Sequence, residues 1–144
     1  MKEIERKWLI ESFDHSLVDD IKYITQHYIQ DGVRARKILE KDCVYYVLTI
    51  KKGKGLIRDE FETNLTQQQY TELIQMSEKS LTKTRYIIPY DNLKIEIDKI
   101  DGYDFILAEV EFKCETSAKM FNPPVWFGTE VTGNPIYINQ NLAK

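Results

Sequence analysis

The chain has 144 residues, of which 42% are hydrophobic and 30% charged. That length suits one domain, expected over residues 1–144, that buries roughly 70% of the surface its unfolded form exposes, and the hydrophobic share excludes a disordered chain. A net charge of −3 argues against a broad nucleic-acid surface, and no apolar run approaches the roughly 18 residues of a membrane helix.

In chain order, β-rich runs are predicted at Lys2–Ile10, Tyr23–Gln30, Val33–Leu39, Val44–Lys51, Ile57–Thr63, Leu81–Pro89, Leu93–Ile100 and Phe105–Phe112. Short turn signals separate most of them: Gln30-Asp31-Gly32, Gly53-Lys54-Gly55, Pro89-Tyr90-Asp91-Asn92 and Asp101-Gly102. Strands this dense argue for an antiparallel meander or barrel. Helices interrupt the series. One spans about Asp14 to Lys22, with Leu17, Val18 and Ile21 on one side. Another starts at Thr66, where Thr66-Gln67-Gln68-Gln69 reads as a capping box and Leu65 with Tyr70 as a staple. Its apolar stripe is Tyr70, Leu73 and Ile74. A short turn of helix near Ser117–Phe121 should stop before Pro123-Pro124. The tail beyond Trp126 reads as irregular.

Several signals carry little. The opening Met1-Lys2-Glu3-Ile4-Glu5 has no signal-peptide core, so a cytoplasmic location is expected. Cys43 and Cys114 lack a CxxC spacing and read as free thiols. His15 and His27 have no partner at metal spacing. Gly53-Lys54-Gly55 falls short of a phosphate-binding loop and reads as a hairpin turn.

The informative signal is charge at period two. Residues i and i+2 of a strand share a face. By that rule Glu3, Glu5 and Lys7 lie together, as do Arg34 with Arg36, Thr49 with Lys51, and Arg58 with Glu60 and Glu62. Lys83 pairs with Arg85, Glu96 with Asp98, and Glu109 with Glu111. Opposite faces are mostly apolar. The charged set holds seven cations and eight anions.

Two architectures fit: an open sheet with its charged face in water, or a barrel with the charges inside. Neighbouring like charges destabilise a sheet surface, yet most pairs here are like-signed. Clustered carboxylates suit a hard divalent cation, and clustered Arg and Lys suit a polyanion. Together they describe a site for a metal and a phosphate chain. Sealing fifteen unpaired charges in a dry core would cost several kcal/mol per ion. A water-filled lumen with an apolar outside packed under helices avoids that cost.

These residues resemble the CYTH superfamily, the triphosphate tunnel metalloenzymes, nearly end to end. Glu3-Ile4-Glu5-Arg6-Lys7 is similar to its ExExK signature. Val33-Arg34-Ala35-Arg36, Leu48-Thr49-Ile50-Lys51, Arg58-Asp59-Glu60-Phe61-Glu62 and Lys83-Thr84-Arg85-Tyr86 resemble successive family strands. Ile95-Glu96-Ile97-Asp98 and Ala108-Glu109-Val110-Glu111-Phe112 fit its late acidic strands. The end, Phe127-Gly128-Thr129-Glu130-Val131-Thr132-Gly133 with Tyr137, Asn139 and Asn141-Leu142-Ala143, is similar to small bacterial inorganic tripolyphosphatases. Ile136 and Ile138 depart from that subgroup, which commonly has Arg and Ser there.

The resemblance implies a mainly β, α+β fold: an eight-stranded antiparallel β-barrel, the triphosphate tunnel, with helices outside. It also implies hydrolysis of a triphosphate with Mg²⁺ or Mn²⁺, most like tripolyphosphate to pyrophosphate and orthophosphate. Implied metal ligands are Glu3, Glu5, Asp98, Glu109 and Glu111. Arg34, Arg36, Lys51, Arg58, Lys83 and Arg85 would line the phosphate chain. Lys7 would contact phosphate or help place the water, and Glu60 or Glu62 would orient or deprotonate it. Glu96 would partner a neighbouring cation. The substrate is a small molecule, with neither nucleic acid nor membrane as partner, and a homodimer stays open because such barrels often pair. Alternatives are a class IV adenylate cyclase, a thiamine triphosphatase using Trp8, Trp126 or Tyr137 as a platform, and a non-catalytic polyphosphate or nucleotide sensor.

Overall fold

Alternating apolar and charged residues need a sheet with two unlike faces, and the chain builds one that curls shut. The computed structural model describes residues 1–144. Its strands are β1 (Lys2–Ile10), β2 (Asp20–Gln30), β3 (Val33–Glu40), β4 (Cys43–Lys52), β5 (Ile57–Leu65), β6 (Lys79–Tyr90), β7 (Leu93–Ile100), β8 (Ile106–Phe112) and β9 (Phe127–Glu130). The helices α1 (Gln67–Ile74), α2 (Glu115–Met120) and α3 (Asn139–Leu142) are short. Hydrogen-bonded neighbours run β5-β4-β3-β2-β6-β7-β8-β1, and β1 pairs back onto β5 through Glu3↔Arg58. The result is a closed eight-stranded antiparallel barrel, with β9 added beside β1. Closure removes most of the edge that an open sheet would expose.

Tight turns set the register. At the β2–β3 turn Gly32 has φ of +75°, and a Cβ there would stand 2.4 Å from the Lys51 carbonyl oxygen. Only glycine fits. Its own carbonyl accepts from the Lys51 amide at 2.8 Å, which ties the turn to β4.

The main apolar core lies outside the barrel. Ile4, Trp8 and Ile10 of β1 join Ile88, Ile95, Ile97, Ala108, Val110 and Phe112 beneath Ala118 of α2. Phe121, Trp126 and Phe127 close over it. Trp8 is 2% exposed, with ring centroids 5.7 Å from Phe121 and 4.8 Å from Phe127. Trp8→Ala is therefore expected to lower stability by about 3–5 kcal/mol, measured by urea unfolding. A loss below about 1 kcal/mol would contradict this account of the core.

The capping box at Thr66 is present, with the Gln69 amide donating to Thr66 Oγ1 and the Thr66 amide to Gln69 Oε1. Three expectations need correction. No helix spans Asp14 to Lys22: one 3₁₀ turn occupies His15–Leu17, and Asp20–Lys22 already belongs to β2. There Ile21 pairs with Tyr86 and Lys22 with Arg85, so the ladder to β6 outweighs a weak helical spacing. The tail is ordered. β9 lies on β1, Asn134 caps a 3₁₀ turn at Pro135–Tyr137, and α3 follows. Finally, helices do not cover the whole outer face. Helix α1 is too short to do so, and Tyr23, Leu39 and Val44, cross-strand neighbours in one row, stay exposed.

Part of the lumen is apolar. Tyr28, Leu81, Ile100 and Leu107 form a cluster with Val131, Leu142 and Ala143 of the tail. Backbone bonds between Ser80 and Lys144, and from the Tyr103 hydroxyl to the Leu142 carbonyl, hold that segment across one end of the barrel.

Candidate active site

Inside the barrel is a cavity of about 990 Å³ whose 33 lining residues include only six hydrophobic ones. Such a lining keeps the interior wet. Glu3, Glu5, Lys7, Arg34, Arg36, Lys51, Arg58, Glu60, Glu62, Lys83, Arg85, Glu96, Glu109 and Glu111 all face it. Asp98 is the one member of the charged set that does not. It sits fully buried behind Lys83 and Arg85.

Like charges along each strand turn out to interleave with opposite charges from the next. Arg58 reaches both Glu3 and Glu5 at 3.0 Å. Lys51 lies 3.1 Å from Glu3 and 3.6 Å from Glu60. Lys7 meets Glu109 at 3.2 Å, and Arg36 meets Glu62 at 3.4 Å. Arg85 forks onto Asp98 at 2.8 and 2.9 Å and donates to Glu96 at 3.0 Å. Lys83 also reaches Asp98, at 2.9 Å. Removing one partner of such a buried set typically costs about 3–5 kcal/mol, so Asp98 anchors two cavity-lining cations.

Two groups stand outside this lattice. Arg34 enters no ion pair with any carboxylate, and its Nε is buried without a partner, as is that of Arg36. Buried donors without acceptors are rare and call for a ligand or water. Two adjacent guanidiniums on β3 with free donors make a fork for an anion. Glu111 is likewise unpaired, and it stands directly opposite Glu5 in the β1–β8 ladder.

Protonation follows this geometry. Burial, then the fields of Glu109 and Glu3, push the Glu5 carboxyl up to about 7. Burial and a hydrogen bond shared with Glu3 push Glu60 to about 7 as well. Burial opposes ionisation of Glu3, but Glu60, Lys51 and Arg58 overcome it and hold the carboxyl at about 2. Burial lowers Lys83 to about 8, although Asp98 supports its charge. Burial, with Arg34 and Arg85 nearby, lowers Arg36 to about 9.

The carboxylates Glu3, Glu5, Glu109 and Glu111 come from adjacent strands β1 and β8, an all-oxygen set of the kind a hard divalent cation prefers. Raised carboxyls among them mark charge that a cation would offset. No three acidic, histidine or cysteine side chains already converge on one point, so the set fits a metal that keeps part of its water shell.

Period-two reading missed several lining groups. Lys22, Ile24 and Tyr28 of β2 face the cavity, with Gln26 buried between them. Their alternation is present in the sequence, but no like-signed pair flags it. Asn139 and Gln140 arrive from the tail. Ile138 lines the cavity, whereas Ile136 is 66% exposed.

No protein-family model matches the chain. Its sequence is 35% identical over 151 residues to an inorganic triphosphatase of Nitrosomonas europaea, covering 99% of this chain and 97% of that one. An inorganic triphosphatase of Acetivibrio thermocellus is 32% identical over 153 residues, with 99% and 94% covered. The crystal structure of the inorganic triphosphatase NE1496 superposes with a TM-score of 0.65 at 31% identity, over 97% of this chain and 96% of that one. A Pyrococcus horikoshii protein at 18% identity, covering 81% of this chain and 82% of its own, shares the fold with a TM-score of 0.62. Full-length similarity to two triphosphatases, on a barrel whose bore is lined by interleaved acids and bases, places this chain in the inorganic triphosphatase family.

Proposed function

We propose that the barrel binds inorganic tripolyphosphate in its bore and hydrolyses it to orthophosphate and pyrophosphate. The observation that carries this reading is the unpaired Arg34 beside Arg36, two guanidiniums whose buried Nε donors have no partner. Every cation of the charged set except Arg34 has a carboxylate within 4 Å, so Arg34, with the free Nε of Arg36 beside it, supports anion binding at β3. Lys51, Arg58, Lys83 and Arg85 extend the cationic wall along the chain of phosphates.

Glu3, Glu5, Glu109 and Glu111 would hold Mg²⁺ or Mn²⁺, and Asp98 would join them only by releasing Lys83 and Arg85. Such an ion, when bound, neutralises phosphate oxygens and the charge that develops on them. The protein's own groups position the reactants. Arg34 and Arg36 fix the phosphate chain for in-line attack. Lys7, held by Glu109, contacts the phosphate nearest the acids. Glu60 is assigned to orient and deprotonate the attacking water, because a carboxyl near neutral pH is matched to that task. Glu62 is already committed to Arg36 and Thr49. A cytoplasmic location, one domain and a small-molecule partner without nucleic acid complete the proposal.

Phosphate release should be followed with tripolyphosphate, ATP and thiamine triphosphate, each with Mg²⁺ and with Mn²⁺. Tripolyphosphate is expected to turn over fastest, and no turnover of any of them would contradict the reading.

Stability should report the metal independently. Glu5 and Glu60, raised from 4.5 to about 7, keep protons in the folded chain that the unfolded chain has lost. Their contribution is therefore full below pH 4.5 and disappears as pH climbs to about 7. Glu5 belongs to the metal set, so Mg²⁺ held there would offset the charge that its proton offsets at lower pH. The rise in Tm on adding Mg²⁺ is expected to be larger at about pH 8 than at about pH 5.5, by scanning calorimetry. A larger rise at the acidic pH would contradict the ligand set.

A further inference from the structure

The tail delivers one neutral polar side chain into the wall of charges. Asn139, at the start of α3, is 7% exposed and lines the cavity. Lys83 Nζ donates to its Oδ1 at 2.7 Å, and Gln26 Nε2 donates to the same oxygen at 3.3 Å. An ammonium group only donates, so the atom facing Lys83 must be the oxygen. That fixes the amide orientation, and with it the neighbours: Gln26 must present its NH₂ to Asn139, which also places it on the Tyr28 hydroxyl at 2.7 Å. The other end of the Asn139 amide, Nδ2, makes no hydrogen bond within the chain and is not fully buried, on a residue that lines the cavity.

The segment that carries it is clamped in place. Lys7 Nζ donates to the Tyr137 carbonyl at 3.1 Å, and the Ala143 amide to the Asn139 carbonyl at 3.0 Å. Thus the tail is fastened to two cations of the bore, and it brings to the cavity lining an amide whose N–H donors have no partner in the chain. A carboxylate in that position would neutralise Lys83 and repel phosphate. An amide supplies the oxygen Lys83 needs and keeps donors for an anion.

We infer that Asn139 is a substrate-binding residue, its Nδ2 donating to a phosphate oxygen of the bound chain while its Oδ1 positions Lys83. The inference rests on the triphosphate reading above and adds a contact from the far end of the sequence. A group that only held Lys83 would never touch the ligand, and that difference is measurable.

The test uses ¹⁵N-labelled, metal-free full chain titrated with tripolyphosphate. The Asn139 side-chain NH₂ signals, assigned through their own backbone, are expected to shift with the binding isotherm. By calorimetry Asn139→Ala is expected to bind tripolyphosphate about tenfold more weakly. Asn139→Asp keeps an oxygen on Lys83 and Gln26 but loses the donors, and it is expected not to restore binding. Unmoved Asn139 signals at saturation, or wild-type affinity in Asn139→Asp, would overturn the inference. Both readouts use binding alone. Shifted signals with no hydrolysis in the metal-containing assays would leave Asn139 standing and remove the hydrolase, hydrolysis there with unmoved signals would do the reverse, and no metal-free binding would overturn the Asn139 contact alone.

Discussion

Arg34→Ala is expected to lower kcat/KM for tripolyphosphate by about a hundredfold or more while leaving the melting temperature nearly unchanged. The two effects separate because Arg34 is in no ion pair, so no carboxylate is orphaned when it goes. Its buried Nε, now without an acceptor, is removed as well. What is lost is contact with the ligand. Each charge-assisted hydrogen bond contributes about 1.5–3 kcal/mol, and two of them correspond to about 10²–10⁴ in binding. Arg34→Lys should recover only part of this, since an ammonium is a point charge without a bidentate fork. Steady-state kinetics with a thermal melt decides the matter. A change below about threefold would show that β3 does not hold the phosphate chain.

Glu5→Gln should give the second large effect. Glu5 is strained in the folded protein: burial and the negative fields of Glu109 and Glu3 raise its carboxyl to about 7, and Glu111 stands directly across the ladder. A neutral amide of the same shape relieves that strain. Arg58 loses the charge of one of its two partners, though an amide oxygen can still accept from it, and it keeps Glu3 at 3.0 Å. The variant is therefore expected to be at least as stable as the parent above about pH 7 without metal. Hydrolysis is expected to fall at least about a hundredfold, with a weaker response to Mg²⁺. Near-normal rates at the same Mg²⁺ concentration would remove Glu5 from the metal set. The contrast with Asp98 is instructive. Neutralising Asp98 should destabilise the fold, because it would leave Lys83 and Arg85 buried beside an uncharged partner.

The barrel was legible because two periodicities coincide in it. Strands such as Leu93–Ile100 alternate apolar and charged residues so regularly that their ends agree with the structure. Charge on alternate residues also identified fourteen of the 33 residues that line the cavity. Where the reading failed, a tertiary pairing had overridden local pattern. Leu17, Val18 and Ile21 are spaced like a helix stripe, yet Ile21 is committed to the β2–β6 ladder. Beta-strand β2 shows the converse. Ile24 and Tyr28 line the cavity with Gln26 buried between them, and without like charges their alternation alone did not mark them. Asn139 and Gln26 are 113 residues apart in sequence, and no local spacing could announce their contact. Asp98 was correctly placed on the inward face, but only the fold reveals that Lys83 and Arg85 stand between it and the cavity.

Diffraction from crystals of the Glu5→Gln variant soaked with tripolyphosphate would test the central claim most directly. The expected result is phosphate density inside the bore, with Arg34 and Arg36 in contact with its oxygens. Phosphate bound only on the outer surface, or an interior refined with aliphatic side chains filling the space, would contradict it.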